Sequence, residues 1–153
     1  MVLKSNFDQA AFRRRFADVK GQIDAYLLNA LSYLGETCVA LARTNGSYID
    51  QTGNLRASVG YVVVHNGTVV KTSFGKLAGS AKGNATGLQV ARQAAADYPT
   101  GWVLIVVAGM AYAAKVESRG RDVLTSAQLY AEAEAPDLLA KLKTAVTKLA
   151  SQA

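Results

Sequence analysis

Ser58-Val59-Gly60-Tyr61-Val62-Val63-Val64-His65-Asn66-Gly67-Thr68-Val69-Val70-Lys71-Thr72-Ser73-Phe74 reads as a β-hairpin. Valine, tyrosine and threonine fill both arms, and they favour a pleated, half-buried surface. Asn66-Gly67 between them tolerates the two positive φ angles of a type I′ turn, whose twist matches that of the flanking strands. A two-residue turn implies a register. Val63 then faces Val70, Tyr61 faces Thr72 and Val59 faces Phe74 on the side expected to meet the core. Val62 meets Lys71 and Gly60 meets Ser73 on the other side.

Upstream of the hairpin, Phe12, Phe16, Val19, Ile23, Leu27, Ala30, Leu34, Cys38 and Leu41 recur every three or four positions. That is the stripe of one long helix over 7–43. Such a helix is about 55 Å long at about 1.5 Å per residue, more than a compact domain of this size can cover. Either Gly21 or Gly35 bends it, or another subunit covers part of the stripe. Thr44-Asn45-Gly46-Ser47 supplies the stop.

Downstream, glycines at 75, 79, 83 and 87 mark a flexible loop over about 75–87, expected to order on assembly. It lacks the Gly-Lys-Ser/Thr spacing of a phosphate loop. Leu88 to Tyr98 reads as a short helix stopped by Pro99, and Trp102 to Ala108 as a central strand buried on both faces. One or two helical turns over Tyr112–Ser118 end at Gly120. A last helix from about Ser126 carries Leu138, Leu142, Val146 and Leu149 on one face, with Pro136 expected to kink or divide it. The elements add up to one α+β domain over 1–153. A long N-terminal helix and a C-terminal helix pack on a small antiparallel sheet built around the hairpin.

Composition narrows the function. The chain has 153 residues, half of them apolar and 18% charged, which suits a single packed core. Met1 to Asp8 carries no apolar stretch of the secretory kind, and the run Trp102–Ala114 falls short of the roughly 20 residues a membrane helix needs. A soluble, non-secreted protein without membrane contact is expected. The lone cysteine, Cys38, lies on the helix stripe and reads as a buried thiol.

The net charge of +6 is uneven. No acid stands between Asp50 and Asp97, a window that holds Arg56, Lys71, Lys76, Lys82 and Arg92. Such a surface suits an acidic protein partner or DNA. No stacking aromatics interleave with these bases, which favours protein. Chemistry is harder to find. The only histidine, His65, abuts the turn, so neither a zinc site nor a Ser-His-acid arrangement has enough members. Asp50, Asp97, Glu117 and Asp122 flank element ends, and Glu117 with Lys115 is the nearest approach to a metal-dependent site. Solvated charges at turns are the ordinary state of such residues. The seven tyrosines suit a protein interface or the rim of a small core equally.

Two segments carry a family resemblance. Gln51-Thr52-Gly53-Asn54-Leu55-Arg56-Ala57-Ser58-Val59 leads into the hairpin, and Gly109-Met110-Ala111-Tyr112-Ala113-Ala114-Lys115-Val116-Glu117-Ser118-Arg119-Gly120 follows the apolar strand. Thr-Gly-x-Leu-Arg-x-Ser before a hairpin, then Tyr-Ala-x-x-Val-Glu-x-Gly after a strand, resembles the minor tail component family of long-tailed bacteriophages. These are also called tail-completion or head–tail joining proteins. Ser118 and Arg119 both precede Gly120, one residue more than that pattern. The order of elements is similar from Phe7 to Leu149.

The resemblance implies a structural virion protein, not an enzyme and without cofactor, at the head–tail junction (neck) or tail. It implies a homo-oligomeric ring that meets connector, tail-terminator or tube proteins after assembly in the host cytoplasm. A phage-encoded nucleic-acid-binding protein is the alternative. Candidate interface residues are Arg56, Lys71, Lys76, Lys82, Tyr112 and Glu117, alongside the hairpin's outer edge, the glycine-rich loop and parts of the long helix. Leu55 is expected to anchor in the core, with Arg56 pointing outward. Tyr112 and Val116, four apart, would share a helical face and leave Glu117 exposed. Glu117 and Arg56 then either pair, within or across subunits, or stand as separate solvated charges.

Overall fold

The computed structural model describes residues 8–74 and 80–152. In chain order the elements are helix α1 (Gln9–Asn45), helix α2 (Asn54–Ser58), strand β1 (Val59–His65), strand β2 (Thr68–Ser73), helix α3 (Ala81–Ala95), strand β3 (Trp102–Ala108), helix α4 (Ala113–Glu117) and helix α5 (Thr125–Gln152). The fold is α+β: α1 and α5 cover one face of a three-stranded antiparallel sheet, and α3 covers the other.

Strand order is β2-β1-β3, so the first arm of the hairpin is central. Val59, Tyr61 and Val63 face α1 together with Leu34, Cys38, Val39 and Ala42. Val62 and Val64 face α3 with Ala91 and Ala95. All five strand residues are fully buried. The Trp102–Ala108 run, which reads as a central strand, is instead an edge, and only Val107 in it is buried.

The turn forms as its sequence implies, with Asn66 at φ 49° and Gly67 at φ 77°. Next to it His65 pairs with Thr68 and Val64 with Val69. Beyond that the register departs from a plain two-residue hairpin. Val70 is inserted as a bulge, so Val63 pairs with Lys71, Val62 with Thr72 and Tyr61 with Ser73. The shift turns Phe74 to the α3 side, where it packs over Gly60 and Gly87.

Helix α1 is continuous for 37 residues, capped by Asp8, whose carboxylate accepts from the N–H groups of Ala10 (2.9 Å) and Ala11 (3.0 Å). Its buried positions begin only at Ser32. Helix α5 packs along it antiparallel: the Cys38 thiol donates to the Ala127 carbonyl, and Leu138 joins the same cluster as Leu28 and Leu31. Pro136 lies inside α5 and does not divide it. Ala131 before it and Leu138 after it both pack on the core, so tertiary contact holds the two halves in one helix.

Helix α3 begins earlier than expected. Residues 81–87, read as loop, form its first two turns, while 75–79 lie outside the described residues. Gly83, Gly87, Ala91 and Ala95, four apart, are its buried face. At Gly83 an added Cβ would collide with the Asn54 carbonyl and at Gly87 with the Ser58 carbonyl. The glycines therefore let α3 approach α2 and the start of β1 at backbone distance. Helix α2 itself, unforeseen in the sequence, follows Gly53 at φ 68°.

Candidate assembly surfaces

The loops at the start of β1 hold most of the residues that the sequence singles out. Asp50 accepts from the N–H of Arg56 at 2.8 Å and of Leu55 at 3.4 Å, satisfying the free donors at the start of α2. At the other end of α2, Arg43 donates to the carbonyls of Arg56 (3.2 Å) and Val59 (2.7 Å). Burial there pulls the Arg43 pKa down from its ordinary value, against the opposing pull of Glu36. Arg43 was not among the candidates; its place in the last turn of α1, where cations meet free carbonyls, was the available signal.

Leu55 is buried, as its anchoring role requires, but Arg56 does not point outward. Its guanidinium lies 5.6 Å from the Tyr48 ring centroid and donates to the Gly46 carbonyl at 3.3 Å. The side chain is half-buried, because α2 turns it back under the end of α1.

Glu117 is occupied within its own chain. Its Oε1 accepts from the N–H groups of Leu124 (3.0 Å) and Thr125 (2.9 Å) and from the Thr125 hydroxyl (2.6 Å). Burial opposes its charge, but the Thr125 hydroxyl and the backbone N–H groups of Leu124, Thr125 and Val123 outweigh that and hold the carboxyl below its usual range. It is half-buried, not exposed, and among the described residues no ion pair joins it to Arg56. Asp122 accepts from the Ser126 N–H at 3.2 Å. Three of the four acids considered for chemistry thus serve helix starts, and Asp97 is exposed. Among the described residues no three His, Cys, Asp or Glu side chains converge to hold a metal ion.

Tyr112 is 40% exposed and lines a hollow of about 240 Å³ with Tyr48, Ile49, Asp50, Leu55 and Val116. Tyr112 and Val116 therefore do share a face. Among the described residues the basic window does not form one patch. Lys71 is exposed on β2 opposite Val63, hence on the α1 side of the sheet, whereas Lys82 and Arg92 are exposed on α3 across the sheet. Lys76 lies outside the described residues. His65 is half-buried at the far end, stacked on Trp102 with ring centroids 4.2 Å apart and its Nε2 3.1 Å from the Asn66 side-chain amide.

Two further surfaces emerge, the first on the part of the long helix that the sequence already names as a candidate contact, the second not foreseen in the sequence. Trp102 Nε1 donates to Asp24 at 3.3 Å, which puts Asp24 level with the hairpin end of the sheet. N-terminal to it α1 has no sheet beneath it, and Phe12 and Phe16 are 55% and 65% exposed. Half-buried Val19 and Ile23 on α1, with Leu142, Ala145 and Leu149 on α5, mark the seam of a two-helix arm. Residues 9–24 and 137–152 hold seven bases (Arg13, Arg14, Arg15, Lys20, Lys141, Lys143, Lys148) and three acids (Asp18, Asp24, Asp137), a net +4 of the chain's +6. The second surface is the open edge of β3. Beside it lies an apolar hollow of about 290 Å³ lined by Cys38, Leu104, Val106, Leu124, Ala127 and Ala131. Among the described residues no helix is long and apolar enough to cross a membrane. No protein-family model, characterised protein or solved structure matches this chain.

Proposed function

We propose that this chain is a structural component of a tailed phage, completing the tail end or the head–tail connector through oligomeric assembly, and is not an enzyme. The supporting observation is apolar surface that outruns the chain's own core: α1 continues past the sheet and presents Phe12 and Phe16 to solvent. Contiguous exposed apolar surface marks sites of protein association. The resemblance of the Thr52–Val59 and Tyr112–Gly120 segments to tail-completion proteins supplies the setting, and the long basic arm suits insertion against an acidic neighbouring ring. Disrupting the gene in its phage or prophage should leave separate heads and tails in electron micrographs, restored by the gene supplied in trans. Normal, joined, infectious particles from the disrupted gene would overturn the proposal.

A second reading, a nucleic-acid-binding protein, is favoured by the charge of the arm. It expects binding to duplex DNA that weakens steeply with salt and is lost when Lys141 and Lys143 are replaced by Glu. Retention of binding in that variant, or no binding at low salt, excludes it.

A further inference from the structure

We infer that the open edge of β3 is a strand-pairing site for a second copy of this chain, so that the free protein forms a two-fold dimer with a continuous sheet β2-β1-β3-β3-β1-β2.

The starting point is a mismatch between sequence and position. Trp102-Val103-Leu104-Ile105-Val106-Val107-Ala108 is apolar at every residue, as in strands covered on both faces, yet only Val107 in it is buried. Among the described residues this strand has β1 on one side and no strand on the other. Its free edge carries a row of backbone donors and acceptors, a template for another strand.

The opposite edge of the same sheet is defended. β2 carries the Val70 bulge and the exposed Lys71, both features that discourage an incoming strand. β3 has no bulge, charge or proline. A selective defence of one edge points to a use for the other.

The occupant follows from the same residues. An incoming strand must be apolar on both faces, because Leu104 and Val106 lie on the α1 side and Val103, Ile105 and Val107 on the α3 side. Within this chain β1 meets that requirement but is already paired on both sides, and β2 does not meet it. A second β3 does. In an antiparallel pair centred on Ile105, Leu104 of one copy faces Val106 of the other on one side of the sheet, and Val103 faces Val107 on the other. The hollow beside Leu104 and Val106 then comes under the partner strand. Charge permits the approach: the chain is +6, yet no charged residue lies between Asp97 and Lys115, so the pairing strands themselves bring no like charges together.

This dimer is a property of the free chain and does not depend on the role proposed above. Sedimentation and hydrogen exchange of the intact protein, over a range of concentrations, test it. A concentration-dependent dimer is expected in which the outward amides of β3 lose exchange as the dimer fills, while those of β2 do not change. Val106→Lys should abolish the dimer with an unchanged far-ultraviolet circular dichroism spectrum, and Val70→Lys on the other edge should leave it intact. Exchange in the unmodified protein decides the matter even where Val106→Lys fails to fold. A monomer at every concentration overturns the inference, and so does a dimer whose β3 amides stay open or one that Val70→Lys abolishes.

Discussion

Glu117 and Tyr61 show how single side chains couple this fold to pH. Glu117 keeps its charge in the folded state because three donors at the start of α5 bind it. Its folded pKa lies below its unfolded one, so on acidification the unfolded chain takes up the proton first. The stability it contributes is present above the unfolded pKa and is lost as pH falls through the folded one. Glu117→Ala should cost about 1–2 kcal/mol at neutral pH, as loss of a helix cap does, and should flatten the acid limb of a urea-denaturation series. Tyr61 works in the opposite sense. Burial, and then its hydrogen bond to Glu36 at 3.0 Å, push its pKa up to about 12. Its contribution is complete below the unfolded value near 10 and declines as pH rises toward 12. Tyr61→Phe should remove that alkaline decline while costing about 1 kcal/mol at neutral pH for the lost hydrogen bond. A variant whose alkaline limb matches the parent's would refute the assignment. Neither partnership was legible in the sequence, since Glu36 and Tyr61, or Glu117 and Thr125, meet only once helices and strands have packed.

Among the elements, the glycines separate local from tertiary demands. Gly21 lies in α1 with nothing within 4 Å of an added Cβ. Gly21→Ala should stabilise by about 0.5–1 kcal/mol, the difference in helix propensity. Gly87 is also helical, but a Cβ there would meet the Ser58 carbonyl and Phe74. Gly87→Ala should therefore destabilise by about 1–3 kcal/mol, because overpacking outweighs the same gain in propensity. Equal signs for the two substitutions in denaturant titrations would contradict this picture. The four-residue glycine spacing was visible in the sequence, yet it read as a loop, since glycine disfavours an isolated helix. Only the presence of α2 against it explains why the helix needs residues without side chains. The bulge at Val70 escaped detection for a similar reason: the Asn66-Gly67 turn implies a plain register, and the demand that shifts it comes from Phe74, Gly60 and α3.

For the whole molecule, the arm and the body differ in how firmly they are held. β1 is buried on both faces, while residues 9–18 of α1 are exposed throughout. Local opening costs least where few apolar contacts are broken. Limited trypsin digestion should therefore cut first at Arg13–Arg15 or at Lys143 and Lys148, and later at Arg56 and Lys71, as read by mass spectrometry of the fragments. First cuts inside the hairpin would show that the arm is held as firmly as the sheet. The same division bears on the electrostatics: the acid-free window holds five bases and no acid, and the arm adds a second basic region of net +4. Arm charge arises from two segments more than a hundred residues apart, which adjoin only because α5 returns along α1.

The sequence by itself determined the α+β class, the long first helix, the hairpin and its type I′ turn, and the burial of Cys38 and Leu55. Each rests on periodicity or on the φ preferences of neighbouring residues, which are local properties. Tertiary structure alone decided that β1 is central and β3 an edge, that Arg56 folds inward, that Glu117 caps α5, and that Pro136 leaves α5 whole. Those outcomes depend on which surfaces meet. A strand's apolar residues record that it needs neighbours, but not whether its own chain provides them.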